Sequence, residues 1–359
     1  MASTSACASN SAVNHQTMPV STVCESARLR PEFLPLIATR AMIGPRRRRP
    51  LVRRHFPNAL LIALLAGAGM STIATGALSQ PVPKMQRGEG RPYEVPESEV
   101  WDVPDPVSGR GYQVFVALPP SYAKEPQRRF PVLYVADADY AFPIIRQVSR
   151  RLNIEGPRVE EFILVGLSYA KGEDGMVSRR RDYTPTPNGP RTAPAGAVHG
   201  QGPAYQAYLR DQVKPFIAAR YRTDPARALF LGHSYGSLLG AHILFTEPGL
   251  FSGYILGSPS LWYDKRHALE LESRYAARSK DLPAKIYLYV GAYEALRKGD
   301  RRYSQTVDMV ADNKAFEAAL RSRKYPGLHL KSVVLDDEDH LTVAPRGFTQ
   351  GLKYLLPAR

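Results

Sequence analysis

From about residue 110 onward the chain alternates two hydrophobic patterns. Runs of β-branched and aromatic residues at 114–118 and 132–135 are bounded by Pro and Asp and read as strands. Further short apolar runs follow at 162–167, 228–232, 253–256, 286–290 and 330–335. Between them, amphipathic stretches predict helices over 140–152, 204–221, 236–245, 265–277, 303–323 and 346–356. Strands that are apolar throughout need cover on both faces, and helices alternating with them supply it. The predicted fold class is therefore α/β, a mostly parallel central sheet with helices on both faces. No internal repeat and no Pro/Ser linker divides residues 90–359, so a single domain is expected over 80–359.

One segment breaks the rhythm. Residues 171–201 hold four prolines, five glycines and four arginines, with no apolar period. This predicts a long loop, and a loop of that length inside a compact domain is usually functional. The competing reading is a tolerated surface insertion.

Composition narrows the class. Of 359 residues, 44% are hydrophobic and 23% charged, which excludes a mainly disordered, collagen-like or multi-span membrane chain. Two cysteines, Cys7 and Cys24, exclude a disulfide scaffold or a Cys-based zinc module. The net charge is +15, and residues 1–79 carry +7 of it, with nine arginines against Glu25 and Glu32. The basic run 46–54 is followed closely by an apolar stretch, 59–68, that ends in small residues. That order is the pattern of a cleavable export signal. Cleavage is placed after Ser79, with Gly76 as the alternative, and Met42 is an alternative start. Arg53-Arg54-His55-Phe56 is similar to a twin-arginine signal, while the general secretory route stays open. An uncleaved anchor over 59–78 is disfavoured because its second half is weakly apolar. A nucleic-acid-binding role for the arginine run is disfavoured because the run abuts the apolar stretch. The expectation is a periplasmic or secreted protein with no nucleic-acid partner and no stable membrane anchor after cleavage. The mature chain would then hold no cysteine, which suits an oxidising compartment.

The chemistry centres on Gly232-His233-Ser234-Tyr235-Gly236. The string alone is common, but here an apolar strand runs into it and a helix leaves it, as a nucleophile elbow requires. Ser234 is the candidate nucleophile, and the Tyr235 N–H is a candidate oxyanion donor. In this fold the base follows the nucleophile and the acid. Of eight histidines, only His267, His329 and His340 follow the serine outside the elbow and its helix. His267 falls in a helical pattern and His329 opens a strand. His340, just past the last strand, is the candidate base. Glu294 is favoured as the acid because it lies four residues past the strand 286–290; Asp300 is its rival. The second oxyanion donor is expected from Asp139 or Ala138, after the strand 132–135. Asp137 and Asp139 offer an alternative reading as a cation site, but no third carboxylate at regular spacing supports one. No metal and no cofactor is expected.

Further motifs carry a resemblance: Pro-Val-Leu-Tyr-Val-Ala-Asp (131–137), Arg-Arg-Arg-Asp-Tyr-Thr-Pro (179–185), Ser-Pro-Ser-Leu-Trp-Tyr (258–263) and Asp-Glu-Asp-His-Leu-Thr-Val (337–343). With the elbow, residues 90–357 resemble the putative-esterase branch of the α/β-hydrolases, closest to periplasmic siderophore esterases of the enterobactin-trilactone type. The resemblance implies the Ser234–His340 pair and an Arg179 that faces the substrate. One position departs: Ala138 stands where the family usually has Gly. An arginine-rich mouth suits an anionic, aromatic ligand such as a ferric catecholate. Trp262 and Tyr263 are candidates for an aromatic wall, or for plain core packing. The expected activity is hydrolysis of a small-molecule ester, with a general carboxylesterase, an acyltransferase and a non-catalytic binder as alternatives.

Overall fold

A computed structural model of the protein describes residues 90–358. The expected export signal, its cleavage sites and both cysteines lie outside the described residues. Eight strands form one sheet: β1 (Ser98–Asp102), β2 (Gln113–Ala117), β3 (Phe130–Val135), β4 (Ile163–Leu167), β5 (Thr223–His233), β6 (Gly253–Gly257), β7 (Ala284–Gly291) and β8 (Leu328–Leu335). Their order is β1-β2-β4-β3-β5-β6-β7-β8. β1 and β2 pair antiparallel, and β2 pairs antiparallel to β4. All the other pairings are parallel. This is the sheet of an α/β-hydrolase.

The helices are α1 (Ala138–Leu152), α2 (Gly175–Asp182), α3 (Gly202–Tyr208), α4 (Lys214–Arg220), α5 (Tyr235–Thr246), α6 (Tyr263–Arg278), α7 (Met309–Ser322) and α8 (Val343–Leu355). The period-2 alternation of the central strands divides the core into two layers. Phe130, Val132 and Tyr134 of β3, with Ala228 and Phe230 of β5, pack under α3, α5 and α7. Leu133 and Val135, with Leu229 and Leu231, pack under α1 and α8. Strands β3 to β7 are thus buried on both faces, which is why each reads as a continuous apolar run.

Four expectations shift. β1 has no counterpart among the predicted strands. The helix expected over 204–221 is interrupted by a π-turn, Leu209–Val213, just before Pro215. The helix expected from residue 303 begins at Met309, where the Asp308 side chain accepts the Ala311 N–H at 2.8 Å. The stretch 171–201 is not all loop: α2 carries the three consecutive arginines. No apolar stripe announces α2, because polar contacts hold it. Asp174 caps its N-terminus by accepting the Met176 and Val177 N–H groups. Arg181 pairs with Glu173 at 2.6 Å and with Asp182 at 2.8 Å. Among the described residues, no helix is long and apolar enough to cross a membrane.

Candidate active site

β5 runs into α5 through Ser234, whose φ of 59° and ψ of −119° mark a strained turn. The turn closes tightly, so that a Cβ on residue 232 would lie 2.3 Å from the Gly236 carbonyl carbon. Only glycine fits there. The Ser234 N–H donates to the Gly257 carbonyl at 2.9 Å, fastening the elbow to β6. Its Oγ lies 3.4 Å from Ser260 Oγ. The Tyr235 N–H opens α5 and so has no acceptor within the helix.

His340 sits on the turn between β8 and α8. Its Nδ1 is 2.6 Å from Glu294 Oε2. Glu294 occupies the short 3-10 turn Ala292–Glu294 after β7 and is 3% exposed. Its other oxygen accepts from Ser258 Oγ at 2.5 Å and from the Gly291 N–H at 2.8 Å. A carboxylate so placed accepts a hydrogen bond from the imidazole Nδ1–H and leaves Nε2 as the proton acceptor. Asp300, the rival acid, is exposed and pairs with Arg302 instead. Among the described residues no hydrogen bond within 3.5 Å joins His340 to Ser234. Catalytic contacts of this kind often tighten only around substrate. The Ser234 turn and His340 are nonetheless tied together. His233, next to Ser234, places Nε2 2.9 Å from the His340 carbonyl, with the two rings 4.8 Å apart.

The second expected donor lies at the start of α1. Asp137 takes the left-handed conformation (φ 55°) and turns the chain out of β3. The Ala138 and Asp139 N–H groups then occupy the first turn, where helix geometry offers them no acceptor. The Ala138 methyl is accommodated by Gly166 of β4, where a Cβ would approach it to 2.8 Å. Thus a small residue on the strand makes room for alanine on the helix.

Arg179 lies at the centre of this region but is already engaged. Its Nε donates to Asp137 Oδ1 at 2.7 Å and its Nη2 to Asp137 Oδ2 at 3.2 Å. The same Nη2 lies 3.4 Å from the His233 carbonyl. Tyr169 OH also donates to Asp137, at 2.8 Å. Arg179 therefore bridges the turn at Asp137 and the turn at His233. Both oxygens of Asp137 are taken by these partners, and no metal-binding cluster of His, Cys, Asp or Glu occurs among the described residues. Tyr263 is fully buried and donates its hydroxyl to the Thr186 carbonyl at 2.7 Å, so it packs rather than presenting a face. Trp262 is partly buried, 6.2 Å from the Tyr235 ring. Sequence reasoning missed Ser258 and the inward role of His233. Both were visible only as neighbours of stronger signals, and their contacts are long-range.

Two histidines behind the elbow set an acid limit on stability. Burial, reinforced by the nearby His340, pushes His233 down to about 3. Burial, reinforced by His267, pushes His242 down to about 4. In an unfolded chain both would titrate near 6.5. Between these limits the unfolded state binds more protons, so stability rises with pH and is lost as pH falls below about 6.5. The slope is up to about 1.4 kcal/mol per pH unit for each histidine. Urea midpoints should fall steadily from pH 6.5 to 4.5, and His242→Gln should flatten that fall. A midpoint constant over this range would contradict the assignment.

The Glu294–His340 contact and the strained Ser234 turn thus lie at one end of a mostly parallel sheet of the α/β-hydrolase type. More particularly, residues 106–330 match the model of the family described as "Putative esterase", and the chain belongs to that family. It is a carboxylic ester hydrolase. It is 27% identical over 293 residues to the ferri-bacillibactin esterase BesA of Bacillus subtilis, covering 77% of this chain and 96% of that protein. It is also 27% identical over 177 residues to a siderophore enterobactin esterase of Emericella nidulans, covering 46% of this chain and 58% of that one. Among solved structures, an IroE-like serine hydrolase from Shewanella oneidensis superposes with a TM-score of 0.63 at 24% identity, over 72% of this chain and 80% of that one.

Proposed function

We propose that this protein is an exported serine esterase that opens the ester bonds of a catecholate siderophore trilactone. One observation carries the reading. The chain matches a ferri-bacillibactin esterase over nearly that protein's full length. The contact of His340 with Glu294 beside the Ser234 elbow supplies the chemistry. In the proposed cycle Ser234 Oγ attacks the ester carbonyl while His340 Nε2 takes its proton. The N–H groups of Tyr235 and Asp139 receive the negative charge that develops on the carbonyl oxygen. His340 returns the proton to the departing alkoxide, and Ser234 is left acylated. Water then attacks the acyl-enzyme, losing its proton to His340, and the acid leaves as His340 returns that proton to Ser234 Oγ. Glu294 holds the imidazole and stabilises its charge. No metal or organic cofactor takes part; iron, when present, arrives with the substrate. Export to the periplasm or exterior would place the enzyme where such chelates are met.

The test is hydrolysis by the purified protein, with a ferric catecholate trilactone offered beside short and long p-nitrophenyl esters. The proposal expects the higher kcat/KM on the trilactone. Turnover of simple esters alone would replace it with a general carboxylesterase. Release of product only when an acceptor alcohol is supplied would make it an acyltransferase.

A further inference from the structure

Arg179 and Arg181 are held in ion pairs, so the arginine run offers an incoming anion little beyond Arg180. A second set of cations follows Glu294 in the chain. After Glu294 the chain makes an excursion over residues 295–308 before entering α7. This excursion is closed upon itself. Leu296 bridges to Ser304, and the Arg297 N–H donates to the Ser304 carbonyl at 3.1 Å. Inside it, Gln305 Nε2 lies 2.9 Å from the Arg297 carbonyl and 2.8 Å from those of Asp300 and Tyr303. Gln305 Oε1 accepts the Gly299 N–H at 3.1 Å. One side chain thus fixes the loop from within, before any ligand arrives.

The outer surface of that loop is cationic. Arg297-Lys298-Gly299-Asp300-Arg301-Arg302 carries four cations against one carboxylate, and Asp300 is paired with Arg302. Among the described residues Arg297, Lys298 and Arg301 form no ion pair. The Arg297 guanidinium lies 4.0 Å from the centre of the Tyr303 ring, which holds its planar face in a defined direction. Clustering like charges costs self-repulsion, and nothing in the packing of the loop requires them.

The loop is attached to the catalytic machinery at its base. Tyr293 donates its N–H to the Glu338 carbonyl, two residues before His340, at 3.0 Å. Ala295 and Val307 pack with Trp262 on the small cluster of Val290, Met309 and Val310. Trp262 in turn neighbours Tyr235. Apolar contacts through Tyr235 and Trp262 therefore lead from the elbow to Ala295 and Val307 at the base of this loop. Of the nearby acids, Glu338 pairs with Arg346, Asp339 caps the turn into α8 and Asp337 accepts the Tyr293 hydroxyl at 2.9 Å.

We propose that residues 296–305 form a substrate-binding element that engages an anionic aromatic group of the ester on the acid side of Ser234. Arg297, Lys298 and Arg301 supply the charge, and the pre-set loop supplies the direction. The inference rests on the proposed esterase chemistry at Ser234, but not on the trilactone.

The test compares two triple variants of the full protein. One replaces Arg297, Lys298 and Arg301 by serine. The other replaces Lys124, Lys280 and Lys324, exposed residues on the connections leading into β3, β7 and β8, at the far end of the sheet. Both remove the same net charge. The first readout is binding of ferric tris(2,3-dihydroxybenzoate), followed by tryptophan quenching at low and moderate salt. The second is the kcat/KM ratio of 4-nitrophenyl hydrogen terephthalate to 4-nitrophenyl benzoate. The loop variant should lower that ratio and weaken chelate binding by about tenfold each, with a shallower salt dependence, and the control by less than about twofold. Equal effects in the two variants, or none in the loop variant, would overturn the proposal. A fall in the ester ratio in a protein that never cleaves the trilactone would sustain this inference and sink the siderophore reading. Trilactone cleavage indifferent to the loop variant would do the reverse. Circular dichroism and Arg297→Lys with Arg301→Lys, which keep the charge, separate loss of recognition from loss of fold.

Discussion

Replacing Ser234 by alanine is expected to lower kcat by about 10⁵–10⁶-fold, because a nucleophile and its base act as a unit. The proposed cycle needs a hydroxyl at the elbow itself, and Ser234 carries it. Ser260 Oγ lies 3.4 Å away but belongs to a different turn, and its N–H is engaged with the Ser234 carbonyl at 3.3 Å. It cannot replace the missing group without moving β6. The same position carries backbone strain, with a left-handed φ of 59°. Ser234→Gly should therefore be as inactive as the alanine variant yet more stable than the parent by about 1 kcal/mol. Steady-state kinetics and urea denaturation on the two variants read both effects. Alanine retaining even a hundredth of the activity would remove Ser234 from the mechanism.

Glu294→Gln is expected to cost about 10³–10⁴-fold in kcat with little change in KM. The shape is preserved, so the loss must come from hydrogen-bond polarity. Glu294 now accepts from three donors: Ser258 Oγ, the Gly291 N–H and His340 Nδ1. A glutamine oxygen can keep Ser258 and Gly291 satisfied, which turns the amide nitrogen towards His340. That NH₂ can only donate, so Nδ1 must become the acceptor and the ring proton moves to Nε2. The base then faces Ser234 already protonated. Activity should recover partly at high pH, where hydroxide can stand in for the base. A loss smaller than about tenfold would mean that His340 works without a carboxylate.

The visibility of these parts in the sequence follows how local their determinants are. The strands β3 to β7 were legible because burial on both faces leaves no polar interruption. β1 was not, since Ser-Glu-Val-Trp-Asp is an edge strand whose residues are mostly exposed. Ser234 was legible because the elbow needs glycine at fixed short offsets. His340 and Glu294 were legible from topology, as residues just past the ends of β8 and β7. Asp137 entered as a candidate cation ligand, and its actual partner, Arg179, is forty-two residues away. No spacing rule connects a turn after β3 to a helix after β4. α2 was hidden because ion pairs and a cap, not an apolar stripe, hold it in place.

The segment 171–201 consequently has two halves of different character for anyone reshaping the enzyme. Up to Tyr183 it is framework: Arg179 spans the turns at Asp137 and His233, and the Tyr183 hydroxyl accepts the Asp137 N–H at 3.3 Å. Beyond that point the chain runs mainly over the surface, tethered to α6 where Thr186 and Asn188 donate to Asp264. Residues 190–198 can be exchanged or diversified without touching the elbow, whereas the chain returns to the framework at its end, where the Gly200 N–H donates to Thr184 Oγ1 at 2.8 Å and the Gln201 N–H to the Arg181 carbonyl at 2.9 Å. An insertion even one residue earlier than Tyr183 would rotate α2 and withdraw the guanidinium from Asp137. The boundary between what can be engineered and what must be kept therefore falls inside a stretch that composition alone presents as uniform.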